Sequence, residues 1–100
     1  MVSSNLEYRL SETVRITRDN TGAVLFDLAR GKFYGLTFTA AEVAHALVGG
    51  ASLDTLLDLL QAKFEVPREA LHQDLARFIK EMEKAGLCSP YKGNQDRVHA

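Results

Sequence analysis

Alternating apolar and polar residues predict three short β-strands in the first third of the chain. The three segments are Thr13–Arg18, Ala23–Leu28 and Lys32–Leu36. Residues that favour turns separate them, at Asp19–Gly22 and at Leu28–Gly31. Strands joined by turns this short pair with their neighbours in sequence, so we predict a three-stranded antiparallel sheet.

The same alternation distributes the side chains of this sheet over two faces. Val24 and Phe26 share one face of the middle strand, and we expect them to hold the sheet against the helices. Tyr34 and Leu36 fall on that face too, which leaves them as core residues or as part of a binding surface. Phe33 is expected to point outward.

Apolar residues three and four positions apart predict three helices after the sheet. The first is Ala40–Val48, and Thr39 with Glu42 has the Thr-x-x-Glu form of a capping box at its start. The second helix follows Ser52, a residue suited to capping. The third and longest is Pro67–Ala85, with Gly86 as the expected stop.

This order predicts an α+β fold, a three-stranded antiparallel sheet followed by three α-helices. The layout is that of a winged helix-turn-helix with the wing-like sheet placed first. We expect residues 13–88 to form one domain. Residues 1–12 are expected to be a flexible lead-in with room for a short extended piece. Residues 89–100 are polar and without period, so a disordered tail is predicted there.

Composition narrows the classes of partner. Twelve Lys and Arg against thirteen Asp and Glu give a formal net charge of −1. This balance argues against nucleic acid or an anionic membrane as a partner. No apolar run approaches the roughly 20 residues that span a bilayer, and the first residues lack the apolar segment of a signal peptide. A cytoplasmic protein is therefore expected.

No arrangement of reactive side chains indicates an enzyme. Cys88 is the only thiol, and no sequence feature unites it with His45, His72 or His99. These residues show no zinc-type spacing, and no glycine-rich phosphate loop is present. We therefore predict a protein without catalytic activity, metal or cofactor.

DNA binding has to be weighed because the layout suggests it. A recognition helix needs a face of one positive sign to neutralise phosphates. The third helix instead balances Arg68, Arg77, Lys80 and Lys84 against four carboxylates. A winged-helix DNA-binding regulator therefore remains an alternative and not the first choice.

The last predicted strand, Lys32–Leu36, lies at the edge of the sheet and offers unpaired backbone groups. If the third helix lies alongside, strand and helix form a groove in which an extended peptide adds a fourth strand. Two other interpretations stay open. Phe33 could pack under the lead-in segment, or the edge could pair with a second copy of the chain.

A family resemblance adds to this interpretation. The chain resembles the PqqD-like proteins, peptide-recognition elements of ribosomally made and modified peptides, over about Val14 to Leu87. Six segments carry the resemblance: Val24–Asp27, Gly31–Leu36, Thr39–Ala40, Gly49–Gly50, Asp74–Ile79 and Gly86–Leu87. Within that family the chain is most similar to the stand-alone leader-binding proteins of lasso-peptide biosynthesis.

The resemblance implies a non-catalytic adaptor that binds the leader segment of a precursor peptide. It would present the leader to a transglutaminase-like cysteine protease and then to a cyclase. A PqqD-like chaperone for a radical enzyme or a cyclodehydratase pathway is the nearest alternative. The expected peptide-binding residues are Lys32, Phe33, Tyr34, Gly35, Leu36, Leu71, Asp74, Leu75, Arg77, Phe78 and Ile79.

Overall fold

The computed structural model describes residues 6–91. Nine elements follow one another in this part of the chain: β1 (Glu7–Leu10), β2 (Val14–Arg18), β3 (Ala23–Asp27), β4 (Lys32–Leu36), α1 (Phe38–Ala46), β5 (Ala51–Ser52), α2 (Leu53–Lys63), α3 (Arg68–Lys84) and β6 (Cys88–Tyr91). The predicted α+β class is confirmed, with an antiparallel sheet followed by three helices. No helix within residues 6–91 is long and apolar enough to cross a membrane.

The predicted three strands form an antiparallel meander in the order β2-β3-β4, which we call the meander sheet. Its register aligns Leu25 with Ile16 on one side and with Tyr34 on the other. Each turn is short, so neighbours in sequence are neighbours in space, and the prediction from the alternating pattern holds.

A second sheet was not predicted. Its strand β1 is the short extended piece for which the lead-in left room, and β6 takes up the first residues of the predicted tail. The second sheet has the order β5-β1-β6, and β1 pairs antiparallel with both of its neighbours. Its strands are two to four residues long, and pairing between distant parts of the chain stabilises them. Such pairing leaves no local pattern in the sequence. Residues 1–5 and 92–100, the rest of the predicted lead-in and tail, lie outside the described residues.

The start of α1 differs from the predicted capping box. Thr37, and not Thr39, is the N-cap, and its side chain accepts a hydrogen bond from a backbone N–H three residues on. Glu42 turns instead toward two cations, with Oε2 3.0 Å from Arg18 and Oε1 3.5 Å from Lys63. The carboxylate therefore ties α1 to β2 and to the end of α2.

The other helix ends follow the sequence signals. The Ser52 side chain accepts from the backbone N–H of Thr55 at the start of α2, and α3 begins directly after Pro67. Gly86 follows the C-cap of α3 with φ +79°, a left-handed conformation that favours glycine and stops the helix. The chain then turns back so that Leu87 is buried.

The buried face of the meander sheet is the opposite of the one expected. Leu25 and Asp27 of β3 are buried, whereas Val24 is 37% exposed. Cross-strand partners share a face, so Tyr34 packs inward with Leu25, and Phe26 lies outward. The buried set therefore includes the charged residue Asp27 beside apolar ones. Hydrogen bonds in the next turn make its burial tolerable.

The core lies between the inner face of the meander sheet and the three helices. Its central members are the fully buried leucines of β3, of α2 and at the C-cap of α1, with the inward residues of α3 around them. These residues are Leu25, Leu47, Leu56, Leu57, Leu60, Leu75, Ile79 and Met82. The helices therefore cover one face of the meander sheet and leave its other face and its β4 edge uncovered.

Candidate functional site

The hydrogen bonds at the two ends of β3 establish which backbone groups of the meander sheet point in which direction. The Leu28 N–H donates to the carbonyl of Thr13 on the β2 side at 2.9 Å. The Gly31 N–H donates to the carbonyl of Asp27 on the β4 side at 2.7 Å. Because successive residues of a strand point their backbone groups in opposite directions, the odd-numbered residues of β3 bond to β4.

This alternation identifies the free backbone groups of β4. Tyr34 and Leu36 are opposite odd-numbered β3 residues, so their N–H and C=O groups are used inside the sheet. Phe33 and Gly35 therefore direct their N–H and C=O groups away from β3. No strand among residues 6–91 pairs with that side of β4. Four backbone groups are thus available to an added strand.

An open groove begins where β4 ends. It has a volume of about 220 Å³ and lies between the start of α1 and the face of α3, with one residue of α2 at its floor. Its walls are mainly apolar, and Asp74 and two threonines supply polar atoms. The lining residues are Thr37, Thr39, Ala40, Val43, Leu60, Leu71, Asp74, Leu75 and Phe78. We call this the α1–α3 groove.

Four of the predicted helix residues line the α1–α3 groove. Leu71 and Leu75 are largely buried, and Phe78 is partly exposed at the wall. Asp74 lies at the rim and accepts a hydrogen bond from Arg77 at 3.1 Å. Because both members of this pair are well exposed to solvent, the pair contributes little to stability and is free to exchange partners.

The remaining predicted residues are placed differently. Ile79 is 3% exposed and belongs to the core, so it does not line the groove. Arg77 does not line the groove, but it forms an ion pair with Asp74, which does. The predicted strand residues Lys32–Leu36 form the sheet edge beside the groove without lining it. Leu36 and Tyr34 pack against the core on the face of Leu25, and not on that of Val24 and Phe26 as expected. That they also contact a peptide stays a prediction.

Sequence reasoning missed the α1 side of the groove. Thr39 was expected only to cap a helix, and Thr37 and Leu60 were not among the predicted binding residues. The residues Ala40 and Val43 belong to the same wall. Their periodic spacing identified them as apolar helix positions. It gave no sign that α1 and α3 stay far enough apart to leave a groove between them.

The outer face of the meander sheet is apolar near the free edge. Phe33 is 68% exposed, and its ring meets that of Phe26 edge to face with 4.4 Å between centroids. Val24 lies one row along, opposite Gly35. Phe33 does not pack under the described part of the lead-in, residues 6–12, because β1 belongs to the other sheet.

The turn before β4 is held by a buried carboxylate. Asp27 accepts hydrogen bonds from the backbone N–H groups of Ala29 and Arg30 and from the Arg30 guanidinium at 3.0 Å. The hydrogen bond from Arg30 lowers the pKa of Asp27 more than burial raises it. The Arg30 guanidinium also lies against Gly86, close to where a Cβ would stand. This contact joins the turn that sets the β4 edge to the end of α3.

Cys88 lies in β6, where burial and then the nearby Glu83 carboxylate raise the pKa of its thiol to about 11. The thiol therefore stays protonated near neutral pH and is a poor nucleophile. Residues 6–91 contain no cluster of three or more His, Cys, Asp or Glu side chains placed to hold a metal ion. The chemistry that the site does offer is backbone hydrogen bonding beside apolar surface.

Comparison with known proteins identifies similar chains. The family model described as coenzyme PQQ synthesis protein D (PqqD) matches residues 22–87. TbiB1, solved in complex with the TbiA(beta) leader peptide, is 23% identical, with a TM-score of 0.76 over 83% of this chain and 96% of that one. A lasso peptide synthetase B1 complexed with the leader peptide is 26% identical, with a TM-score of 0.72 over 83% of this chain and 98% of that one. No curated protein sequence gives a significant match.

Proposed function

Because the chain belongs to the PqqD family, we propose that it is a non-catalytic adaptor that binds the leader segment of a ribosomally made precursor peptide. Two structures of similar fold are of B1 proteins solved with leader peptides. The observation that carries the proposal is the free edge of β4 beside the α1–α3 groove. One feature supplies backbone hydrogen bonds and the other supplies room for side chains.

In the proposed complex, the leader adds antiparallel to Lys32–Leu36 as a fourth strand of the meander sheet. Its backbone groups bond to Phe33 and Gly35, the two residues whose N–H and C=O groups are free. Leader side chains opposite Tyr34 point to the inner face of the sheet. The chain leading away from that strand places apolar side chains in the α1–α3 groove, against Leu75 and Phe78.

The polar side chains at the rim of the groove are the proposed polar contacts to the leader. Asp74 and Arg77 are exposed, and within residues 6–91 they pair only with one another, so a polar group of the leader can replace either partner at little cost. The hydroxyl groups of Thr37 and Thr39 lie at the same groove. A leader residue with an apolar body and a polar end is therefore well suited to this position.

The finer part of the proposal concerns what receives the bound leader. We propose that the complex presents the precursor to a transglutaminase-like cysteine protease, which removes the leader, and then to a cyclase, as in lasso-peptide biosynthesis. The likeness to a lasso peptide synthetase B1 supports this assignment. A radical enzyme or a cyclodehydratase is the alternative partner, because the family model itself is that of a PQQ synthesis protein.

A titration tests the adaptor function directly. The probe is the fluorescently labelled synthetic leader of the precursor encoded beside this chain, followed by anisotropy. We expect saturable binding at micromolar concentration or tighter, a free energy of about −8 kcal/mol. A labelled DNA duplex is the control for the winged-helix alternative, and any binding to it should fall steeply with salt. Absence of saturable binding to the leader would refute the proposal.

A further inference from the structure

The outer face of the meander sheet contains a gap at Gly35. Across the sheet, Thr17, Val24 and Gly35 stand in one row, and Phe26 and Phe33 stand in the next. A Cβ placed on Gly35 would meet no heavy atom within 4 Å. The backbone of β4 is therefore bare at this point, with the exposed Phe33 and Val24 at its sides.

A strand added to β4 would place a side chain beside this gap. Residues directly opposite one another in an antiparallel pair have their side chains on the same face. The leader residue opposite Gly35 therefore points to the outer face, whereas its two neighbours point to the inner face. A large side chain at that position can lie across the bare glycine and reach the apolar surface beyond it.

From this geometry we infer a second subsite for the guest strand, on the outer face and over Gly35. It takes a large apolar or aromatic side chain of the leader, which packs on Phe33 and Val24. This inference rests on the proposed function and adds to it a specificity determinant outside the α1–α3 groove. The apolar neighbours of the gap indicate that its guest side chain is apolar, since Phe33 is 68% and Val24 37% exposed in the free protein.

Substitution of Gly35 by valine tests the subsite because it fills the gap without disturbing the fold. The structure leaves space for the new side chain, and a β-branched residue suits a strand better than glycine does. The variant should therefore melt no lower than the wild type. We expect its affinity for the labelled synthetic leader of the neighbouring precursor to fall about tenfold or more.

Thr17→Val is the matched control. Thr17 lies in the same row on the outer face but in β2, two strands away from the β4 edge. This variant adds the same kind of apolar surface where the guest strand does not reach, so it should bind the leader as the wild type does. Equal weakening by both variants would mean that the whole outer face is covered by something else, and would overturn the inference.

An alanine scan of the leader then locates the guest side chain. One leader position should be coupled to Gly35, so that shortening it weakens binding to the wild type but not to Gly35→Val. The scan is repeated with Phe78→Ala, which reports on the groove. If Phe78→Ala weakens binding while Gly35→Val binds every leader like the wild type, the subsite is refuted and the adaptor function stands. If the wild type binds no leader, the proposed function fails as well.

Discussion

Replacing Phe33 by proline would remove one backbone donor from the open edge of β4 without breaking the meander sheet. The Phe33 N–H points away from β3, so no hydrogen bond within the sheet depends on it. Proline is tolerated at such positions of edge strands. The side chain is largely exposed, so its loss costs the core little. The variant should therefore stay folded while the β4 edge loses part of its capacity to bond to an added strand.

The size of the effect follows from the bonds that the variant cannot make. Phe33→Ala serves as the reference, because it removes the same side chain and keeps the N–H. One lost hydrogen bond costs about 1 kcal/mol net, and the proline ring also holds the guest strand away from the neighbouring carbonyl. With both bonds lost, the cost is about 2 kcal/mol. Relative to Phe33→Ala, we expect leader affinity to fall by about 5- to 30-fold.

Anisotropy titration with the labelled leader measures this difference, and urea unfolding checks that both variants are folded. Tyr34→Pro is the opposite control, since its N–H bonds to β3 and its loss leaves a buried carbonyl unpaired. That variant should lose about 1–3 kcal/mol of unfolding free energy. Equal leader affinities for Phe33→Pro and Phe33→Ala would show that the guest does not bond to this edge.

Three further predictions concern the groove, the turn and the thiol. Phe78→Ala should weaken leader binding by about 1–2 kcal/mol. Because Phe78 is only partly buried against the core, its truncation should cost less stability than truncation of the buried Ile79, which should cost about 2–5 kcal/mol, as thermal unfolding would show. Asp27→Asn should be less stable than the wild type above pH 4 or so. The difference should disappear as the pH falls through the pKa of Asp27, which the Arg30 hydrogen bond lowers, and a pH-independent difference in urea unfolding would contradict this cause. Iodoacetamide should label Cys88 on the order of a hundredfold more slowly in the native protein than in urea, because burial raises its pKa to about 11, and comparable labelling rates by mass spectrometry would exclude that burial.

The meander sheet and the helices could be predicted because their signals are local. Alternation predicted β2, β3 and β4, and capping and breaking residues such as Ser52 and Pro67 placed α2 and α3 within a few residues. The second sheet could not be predicted in the same way. Its strands β1 and β6 are stabilised by pairing with each other, although they lie near opposite ends of the chain. A segment of four residues has no sequence pattern that identifies such a distant partner.

The buried face of the sheet and the shape of the groove were harder to predict from the sequence, for a different reason. Asp27 is a charged residue, yet the turn that follows satisfies its carboxylate in a buried position, which the alternating pattern does not indicate. Ile79 and Phe78 looked equivalent on a helical pattern, yet one lies in the core and the other at the groove. Which apolar position is covered depends on how far α1 stands from α3, a distance that no periodicity encodes.

Amide hydrogen exchange of β4, followed by nuclear magnetic resonance with and without the leader, tests the central claim most directly. In the free protein, Tyr34 should exchange slowly, because its N–H bonds to β3, and Phe33 and Gly35 should exchange fast at the open edge. Saturation with the leader should slow Phe33 and Gly35 strongly and change Tyr34 much less. A leader that binds while Phe33 and Gly35 continue to exchange fast would contradict strand addition at this edge.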